Sequence, residues 1–451
     1  MGRNAGAFGD GLNFGHPSPS RREGIMSRKH YDYSNGPSLI EPHSVAKHRV
    51  LQTYLAAYFQ TLVSSPNQDE FRLTLVDGFA GGGEYRDRAT NEIHLGSPLI
   101  MLQAVQEATF LLNRERRKPV NLDVSYFFIE KNPQTARHLK QTLTDRGYDA
   151  LFDSKIFLRN SSFLDNMDEV IKFIQSKSPR NGRSIFLLDQ YAYRDVPAHV
   201  IKRILHTLPR AEVILTFGVD SFINFASDTG LTQSLLAQIG IPDALQGRTF
   251  EEIKSSERDW RLFIQGSLYR GLVDRCGAEY YTPFFIRNRQ GFGDYWLIHM
   301  SQHHRARDVM TQVHWKNNNY FIHYGGAGID MFGAGMTGYD PKFDTSGSGQ
   351  GALAFEFDDV ARNSSVSALL EQIPRYVYAH TDGMSFGELF TKTCNSSPAS
   401  ADIYRSAIER LIEERVIVAK SEQDSTRRAA AQIRFSDQLL PPGQRSLFFG
   451  C

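Results

Sequence analysis

A chain of 451 residues is too long for one ordinary core, so two or three domains are expected. With 41% hydrophobic and 22% charged residues, no run of about 18 apolar residues and no apolar leader, it reads as a globular cytoplasmic protein with no membrane association. A net charge of +1 gives no global signal for a polyanionic partner, and Cys276, Cys394 and Cys451 are too scattered for a disulfide framework or a cysteine metal site.

Residues 1–36, rich in Gly, Asn, Ser and Arg without periodicity, are expected to form a disordered arm. In "SVAKHRVLQTYLAAYFQTLV" the spacing places Val50, Leu51, Tyr54, Leu55, Tyr58, Phe59 and Leu62 on one stripe, which predicts a core-facing helix. Five strands follow: "FRLTLVDGF", "VSYFFIEKN", "SKIFLRNSSF", "RSIFLLDQYAY" and "AEVILTFGVDSF". They alternate with the helices "SPLIMLQAVQEATFLLNR", with Pro98 in its first turn, "PQTARHLKQTLTDRG", closed by Gly147, "NMDEVIKFIQSK" and "PAHVIKRILHTL". Apolar strands separated by amphipathic helices require a mostly parallel sheet covered on both faces, a doubly wound α/β domain.

A mainly helical insert is expected over 221–278, followed by a hairpin, "AEYYTPFFIRNRQGFGDYWLIHMS", with Gly291 and Gly293 in its turn. An antiparallel hairpin after five parallel strands predicts the class I methyltransferase sheet for a domain spanning 37–316. A plain dinucleotide-binding domain would end on another parallel crossover. The glycine-dense stretch 317–353 reads as a loop or linker. Residues 354–451 read as a winged helix-turn-helix and tail: "ALLEQIPRYVYA", "SFGELFTKTC" and "ADIYRSAIERLIEERV" are helices, and "IVAKS" and "AQIRFS" are strands around "EQDSTRRAA".

The chemistry gathers where strands stop. After the first strand stands D-x-F-A-G-x-G, formed by Asp77, Phe79, Ala80, Gly81 and Gly83. A glycine turn there lets backbone amides approach a nucleotide-like ligand. No GxxxxGK[ST] or strict GxGxxG is present. The pattern looks like the first motif of S-adenosylmethionine-dependent methyltransferases, in which Asp77 would suit the methionine ammonium. A tight turn with no ligand is the competing reading. Glu130 ends the second strand, where an acid can accept both ribose hydroxyls, unless it only stabilises a helix N-terminus. Its long spacing from Asp77 requires "EYRDRATNEIHLG" to loop out. Ser162, with Ser161, stands at the third strand's end, where an acid often lies beside adenine. "LLDQYAY" ends the fourth strand. There Asp189 could accept a hydrogen from a target nitrogen and Tyr191 stack on a base, or Asp189 could cap the next helix. Gln190 stands where amino-methyltransferases carry proline.

"AKHRVLQTYL", "VDGFAGGGEY", "GSPLIML", "FFIEKN", "FLLDQYAYRDVP", "AEVILTF" and "DYWLIHMSQHHRARDVMTQVHWK", in this order over roughly residues 40–320, resemble the three-Cys-motif partner proteins. The resemblance implies a class I methyltransferase-like fold, a winged-helix tail, and a separate partner protein bearing a three-cysteine, iron–sulfur-type motif. It implies Asp77, Gly81 and Gly83 in the cofactor loop, Glu130 at the ribose and Asp189 as the polar catalytic residue. A role in defence against foreign DNA is a further guess from it.

His299, His303 and His304 have no nearby carboxylate in sequence and straddle a strand end, so no metal site is expected. Arg305 and Arg307 are candidates for a basic rim toward nucleic-acid phosphates, and Arg427 and Arg428 for a wing tip, with a solvated surface or protein docking as alternatives. Two functions follow: a methyltransferase acting on DNA or RNA, or a non-catalytic adaptor that recruits nucleic acid or the three-Cys partner.

Overall fold

The computed structural model describes residues 32–34, 36–190, 195–218, 230–256, 260–286, 295–317, 321–323, 326–329, 331 and 355–442. The chain enters through β1 (Ser38–Leu39) and α1 (Pro42–Leu62), then β2 (Glu70–Asp77), the short hairpin β3 (Glu84–Arg86) and β4 (Ile93–Leu95), and α2 (Ser97–Asn113). Next come β5 (Asn121–Ile129), α3 (Pro133–Asp145), β6 (Ile156–Arg159), α4 (Phe163–Lys177), β7 (Ser184–Leu188), α5 (Ala198–Thr207) and β8 (Ala211–Phe217). Helices α6 (Gly230–Ile239), α7 (Phe250–Ser256) and α8 (Trp260–Cys276) lead into β9 (Tyr280–Ile286), β10 (Tyr295–Ser301), α9 (His304–Lys316) and β11 (Phe321–His323).

Local signals account for the helix starts. Asn132 caps α3 by accepting from the amides of Gln134 and Thr135, with Pro133 at the first position, and Ser162 caps α4 by accepting from Asp165. With a later strand, β12 (Phe355–Glu356), the strands build a main sheet of order β12-β11-β9-β10-β8-β7-β2-β5-β6 among the described residues, while β1, β3 and β4 form a small sheet of their own. From β6 to β8 all pairings are parallel, whereas β10 inserts antiparallel between β8 and β9, with Trp296 opposite Phe217. Parallel strands in the order third, second, first, fourth, fifth, followed by an inserted antiparallel last strand, are the class I methyltransferase sheet. One face is covered by α1, α2, α3 and α9 over Leu73, Leu75 and Phe128. The other carries α4, α5 and the insert helices over Val76, Phe186 and Val213. Each such fully buried side chain contributes about 1.5–3 kcal/mol.

The looped-out insertion is the β3–β4 hairpin, extended by β1, which pairs parallel with β3. The expected turn of the β9–β10 hairpin, with Gly291 and Gly293, lies outside the described residues. Within the glycine-dense segment, β11 adds antiparallel to β9, and β12 (Phe355–Glu356) pairs onto β11.

The third region contains α10 (Asp359–Tyr378), β13 (Met384–Ser385), α11 (Phe386–Thr393), α12 (Ala401–Glu413), β14 (Val418–Lys420), β15 (Thr426–Arg427) and β16 (Gln438–Leu440). A capping box of Ser385 and Glu388 starts α11. Its core packs Leu369, Ile373, Phe386, Phe390, Tyr404 and Leu439. The strand expected at "AQIRFS" is instead a single 3₁₀ turn, Ala430–Gln432, and extended chain; β14 pairs with β15 and β16. The sequence pattern there misled because Ile433 and Phe435 point into the helical core as single anchors, Phe435 stacking on Phe386 at 4.9 Å. No helix among the described residues is long and apolar enough to cross a membrane.

Candidate functional site

Asp77, Glu130 and Asp189 follow the register to the carboxyl ends of β2, β5 and β7, in which β2 lies between the other two, since Asp77 pairs with Phe128 on one side and Leu187 on the other. The turn after β2 is built by its glycines. Gly81 and Gly83 have φ of 62° and 85°, backbone that only glycine adopts readily. The Gly81 amide donates to Glu130 Oε2 at 3.1 Å, and Glu130 Oε1 accepts from the Asn132 amide at 2.7 Å. Glu130 therefore braces the turn, while a carboxylate retains lone pairs for further donors.

Asp77 is fully buried. One carboxylate oxygen accepts from the Phe79 amide at 3.1 Å, and the other has no hydrogen-bond partner. Burial pushes its pKa from an ordinary 3.8 up to about 7, against the Ser97 hydroxyl and the Phe79 amide, and the carboxylates of Asp189 and Glu130 push it further the same way. A buried acid with one oxygen accepting no hydrogen bond, at the root of a glycine turn, suits a cationic or donor group.

Asp189 sits at the mouth, its side chain 33% exposed, and pairs with Lys47 Nζ at 2.5 Å; the lysine side chain is only 10% exposed. Burial raises the Asp189 carboxyl, but the Lys47 ammonium and its hydrogen bond outweigh this and hold it below the usual range. Lys47, His48, Ser97, Leu187, Asp189 and Leu297 contribute to the wall of a cavity of about 20 Å³. His48 is pushed down to about 4 by burial and by Lys47 beside it, so its ring is neutral at pH 7. Gln190, next to Asp189 in the chain, accepts the Val196 amide through its side-chain oxygen at 3.1 Å.

Neither Lys47 nor His48 was read as functional from sequence, although the signal existed. Lys47 lies three and four residues before Val50 and Leu51, so a lysine heads the buried stripe of α1. Tyr33 is the second addition. It falls in the stretch expected to be a disordered arm, yet it is buried, and its hydroxyl accepts the Gly82 amide at 3.1 Å. Its ring lies 4.6 Å from that of His138, which in turn bonds the Gly82 carbonyl at 3.0 Å. A Cβ at Gly82 would stand 2.3 Å from two Tyr33 ring atoms. Gly82→Ala should therefore expel the ring and cost about 1–3 kcal/mol in thermal denaturation. Tyr33→Ala should make Gly82→Ala nearly silent in a double-mutant cycle, and additive losses would refute the contact.

Phe79 contributes its backbone amide to Asp77 and packs its half-buried ring on the core. Ser162 is engaged as the cap of α4, its hydroxyl donating to Asp165 at 2.6 Å. Tyr191 lies outside the described residues. Two of the four proposed nucleic-acid arginines require correction. Arg307 is fully buried, donating to the carbonyls of Ala399 at 3.0 Å and Ser397 at 2.5 Å, so it holds the winged helix rather than facing phosphates. Arg427 is clamped on buried Asp437 at 3.1 Å. Arg305 and Arg428 are exposed. His304 packs its ring 5.2 Å from Phe435, and His299 is buried on Glu212 at 2.9 Å, beside Tyr54, which donates to the same carboxylate oxygen. No group of three or more His, Cys, Asp or Glu among the described residues could hold a metal.

The winged helix is fixed to the sheet domain at several points. Besides Arg307, Asp308 Oδ1 accepts the first amide of α12, from Ala401, at 2.7 Å, and Trp315 Nε1 donates to the Pro398 carbonyl at 2.9 Å. Asn395 bonds the Tyr281 amide and the Glu279 carbonyl.

No curated protein matches the sequence. Among solved structures, a Legionella pneumophila protein aligns at 8% identity over 56% of this chain and 85% of its own, with a TM-score of 0.32. A candidate O-methyltransferase from Klebsiella pneumoniae aligns at 13% identity, 58% and 91% coverage and a TM-score of 0.25. A candidate methyltransferase from Escherichia coli aligns at 13%, 59% and 93%, with a TM-score of 0.22. A family model described as a GMT-like wHTH domain matches residues 338–424, so the C-terminal region carries a winged helix-turn-helix of that kind behind a methyltransferase-like sheet.

Proposed function

We propose that the chain is an S-adenosylmethionine-dependent methyltransferase acting on nucleic acid. The supporting observation is the convergence of Asp77, Glu130 and Asp189 around a glycine turn at adjacent strand ends, an excess of negative charge suited to a ligand carrying a sulfonium and an ammonium. In this reading Asp77 takes the ammonium, Gly81 and Gly83 give the methionine arm its path, and Glu130 takes the ribose. Asp189 and Tyr191 meet the acceptor, Ser162 lies beside the adenine, and the winged helix docks the substrate through Arg428 at its wing, with Arg305 of α9 as a basic contact on the sheet domain. Action beside a three-Cys-motif partner, in the cytoplasm, rests on the sequence resemblance and composition alone.

Titration calorimetry with S-adenosylmethionine tests the cofactor site. Binding in the micromolar range, about −8 kcal/mol, is expected, and Glu130→Ala should weaken it about tenfold or more. An absence of heat, or an unchanged affinity in the variant, would remove the cofactor reading. A non-catalytic adaptor is the second reading, favoured by the ion pair that occupies Asp189 and by the Gln190 oxygen held by Val196. Asp189→Asn should abolish turnover by an enzyme and leave recruitment by an adaptor unchanged.

A further inference from the structure

The polar groups at the end of β7 select the kind of atom that can be methylated, an inference that rests on the methyltransferase reading. An exocyclic base amine presents two N–H donors, and its lone pair is drawn into the ring, so two acceptors must hold it. A hydroxyl presents one donor and two lone pairs. Here one oxygen of Asp189 is bound to Lys47. The neighbouring acceptor, the Gln190 side-chain oxygen, takes the Val196 amide. The cavity wall thus offers an ammonium donor and a carboxylate acceptor side by side, the pair of partners that a hydroxyl calls for. Its volume of about 20 Å³ has room for one small polar group, the size of a water. Lys47 is also held in place: its side chain is nearly buried on the core stripe of α1, whose middle is tied to the sheet through Tyr54 and Glu212.

We propose that Lys47 and Asp189 form a catalytic pair for methylation of a hydroxyl oxygen, and that on nucleic acid this is the ribose 2′-hydroxyl, so the substrate is RNA. The hydroxyl donates to Asp189 Oδ1 and accepts from Lys47 Nζ, which leaves a second lone pair for the methyl carbon. As the O–C bond forms, the C–S bond breaks and its electron pair returns to sulfur, giving the neutral thioether of S-adenosylhomocysteine. As the new bond forms, the hydroxyl proton passes to Asp189 and later to water, so the reacting oxygen gains partial negative charge, which the Lys47 ammonium stabilises in the transition state.

The test uses the full chain with methyl-labelled S-adenosylmethionine and, separately, total cellular RNA and total cellular DNA, each digested to nucleosides whose sugar and base fragments are resolved by mass spectrometry. Label on the ribose fragment of RNA is expected. Lys47→Met should lower the rate about 100- to 1000-fold while leaving cofactor affinity by calorimetry within about threefold of wild type. Label on a base fragment or in DNA, a Lys47→Met variant with the wild-type rate, or cofactor binding without label in either pool would each overturn the assignment. Failure to bind S-adenosylmethionine at all is a different result: it removes the methyltransferase reading itself, and this inference with it.

Discussion

Asp77→Asn is expected to weaken S-adenosylmethionine binding by about 1.5–3 kcal/mol at pH 8, the loss of a charge-assisted hydrogen bond, and to flatten the pH dependence of what remains. In the free protein the Asp77 carboxyl is pushed up to about 7 by burial. A bound ammonium favours the ionised form, so wild-type binding must release a proton below that pH. Affinity should then fall about tenfold from pH 8 to pH 6, with a calorimetric enthalpy that depends on the buffer's own ionisation heat. The stability of the free protein moves the opposite way. A carboxyl raised in the folded state contributes no penalty below its unfolded value of 3.8; the penalty grows from there up to about 7 and is constant above it. The cost at pH 8 is of order 4 kcal/mol as an upper bound, so Asp77→Asn should melt higher than wild type there while binding worse. A wild-type affinity that does not change between pH 6 and 8 would exclude the ammonium contact at this residue.

Arg307→Ala should be the most damaging single change outside the site, at about 3 kcal/mol or more. It leaves the carbonyls of Ser397 and Ala399 buried without a donor, at about 1–3 kcal/mol each, and opens a hole beneath the winged helix. Arg307→Lys should recover only part, because one ammonium does not reproduce the planar fork that spans two carbonyls. Thermal unfolding followed by circular dichroism and by proteolysis checks this. A melting curve matching wild type would mean that the contacts carry no net stability.

The sheet was legible because each strand is a short apolar run bounded by turn residues and each crossover a helical period; such patterns report burial on both faces. The glycine turn and the three acids were legible because each sits at a strand end, a position readable from the pattern. What escaped were partnerships across long sequence distances. Lys47 meets Asp189 only once α1 lies over the sheet, and Tyr33 meets Gly82 only once the β3–β4 hairpin has folded back on β1. Arg307 was read by charge. Its helical spacing to Met310, Thr311 and His314, all buried, placed it inward. The two-residue strands β12 and β15 carry no pattern long enough to read, and β16 follows a loop whose single apolar anchors imitate a strand.

The bond from Asp308 to the first amide of α12 has a further consequence. A helix whose leading end is capped by a residue of the neighbouring domain cannot swivel while that cap holds. Together with Arg307 and Trp315 it makes the winged helix a ruler rather than a hook on a string. On the proposed reading, in which the winged helix grips a polynucleotide, the gripped feature would lie at a constant distance from the strand ends, and modified positions would fall at a fixed offset from it, whatever the sequence between them.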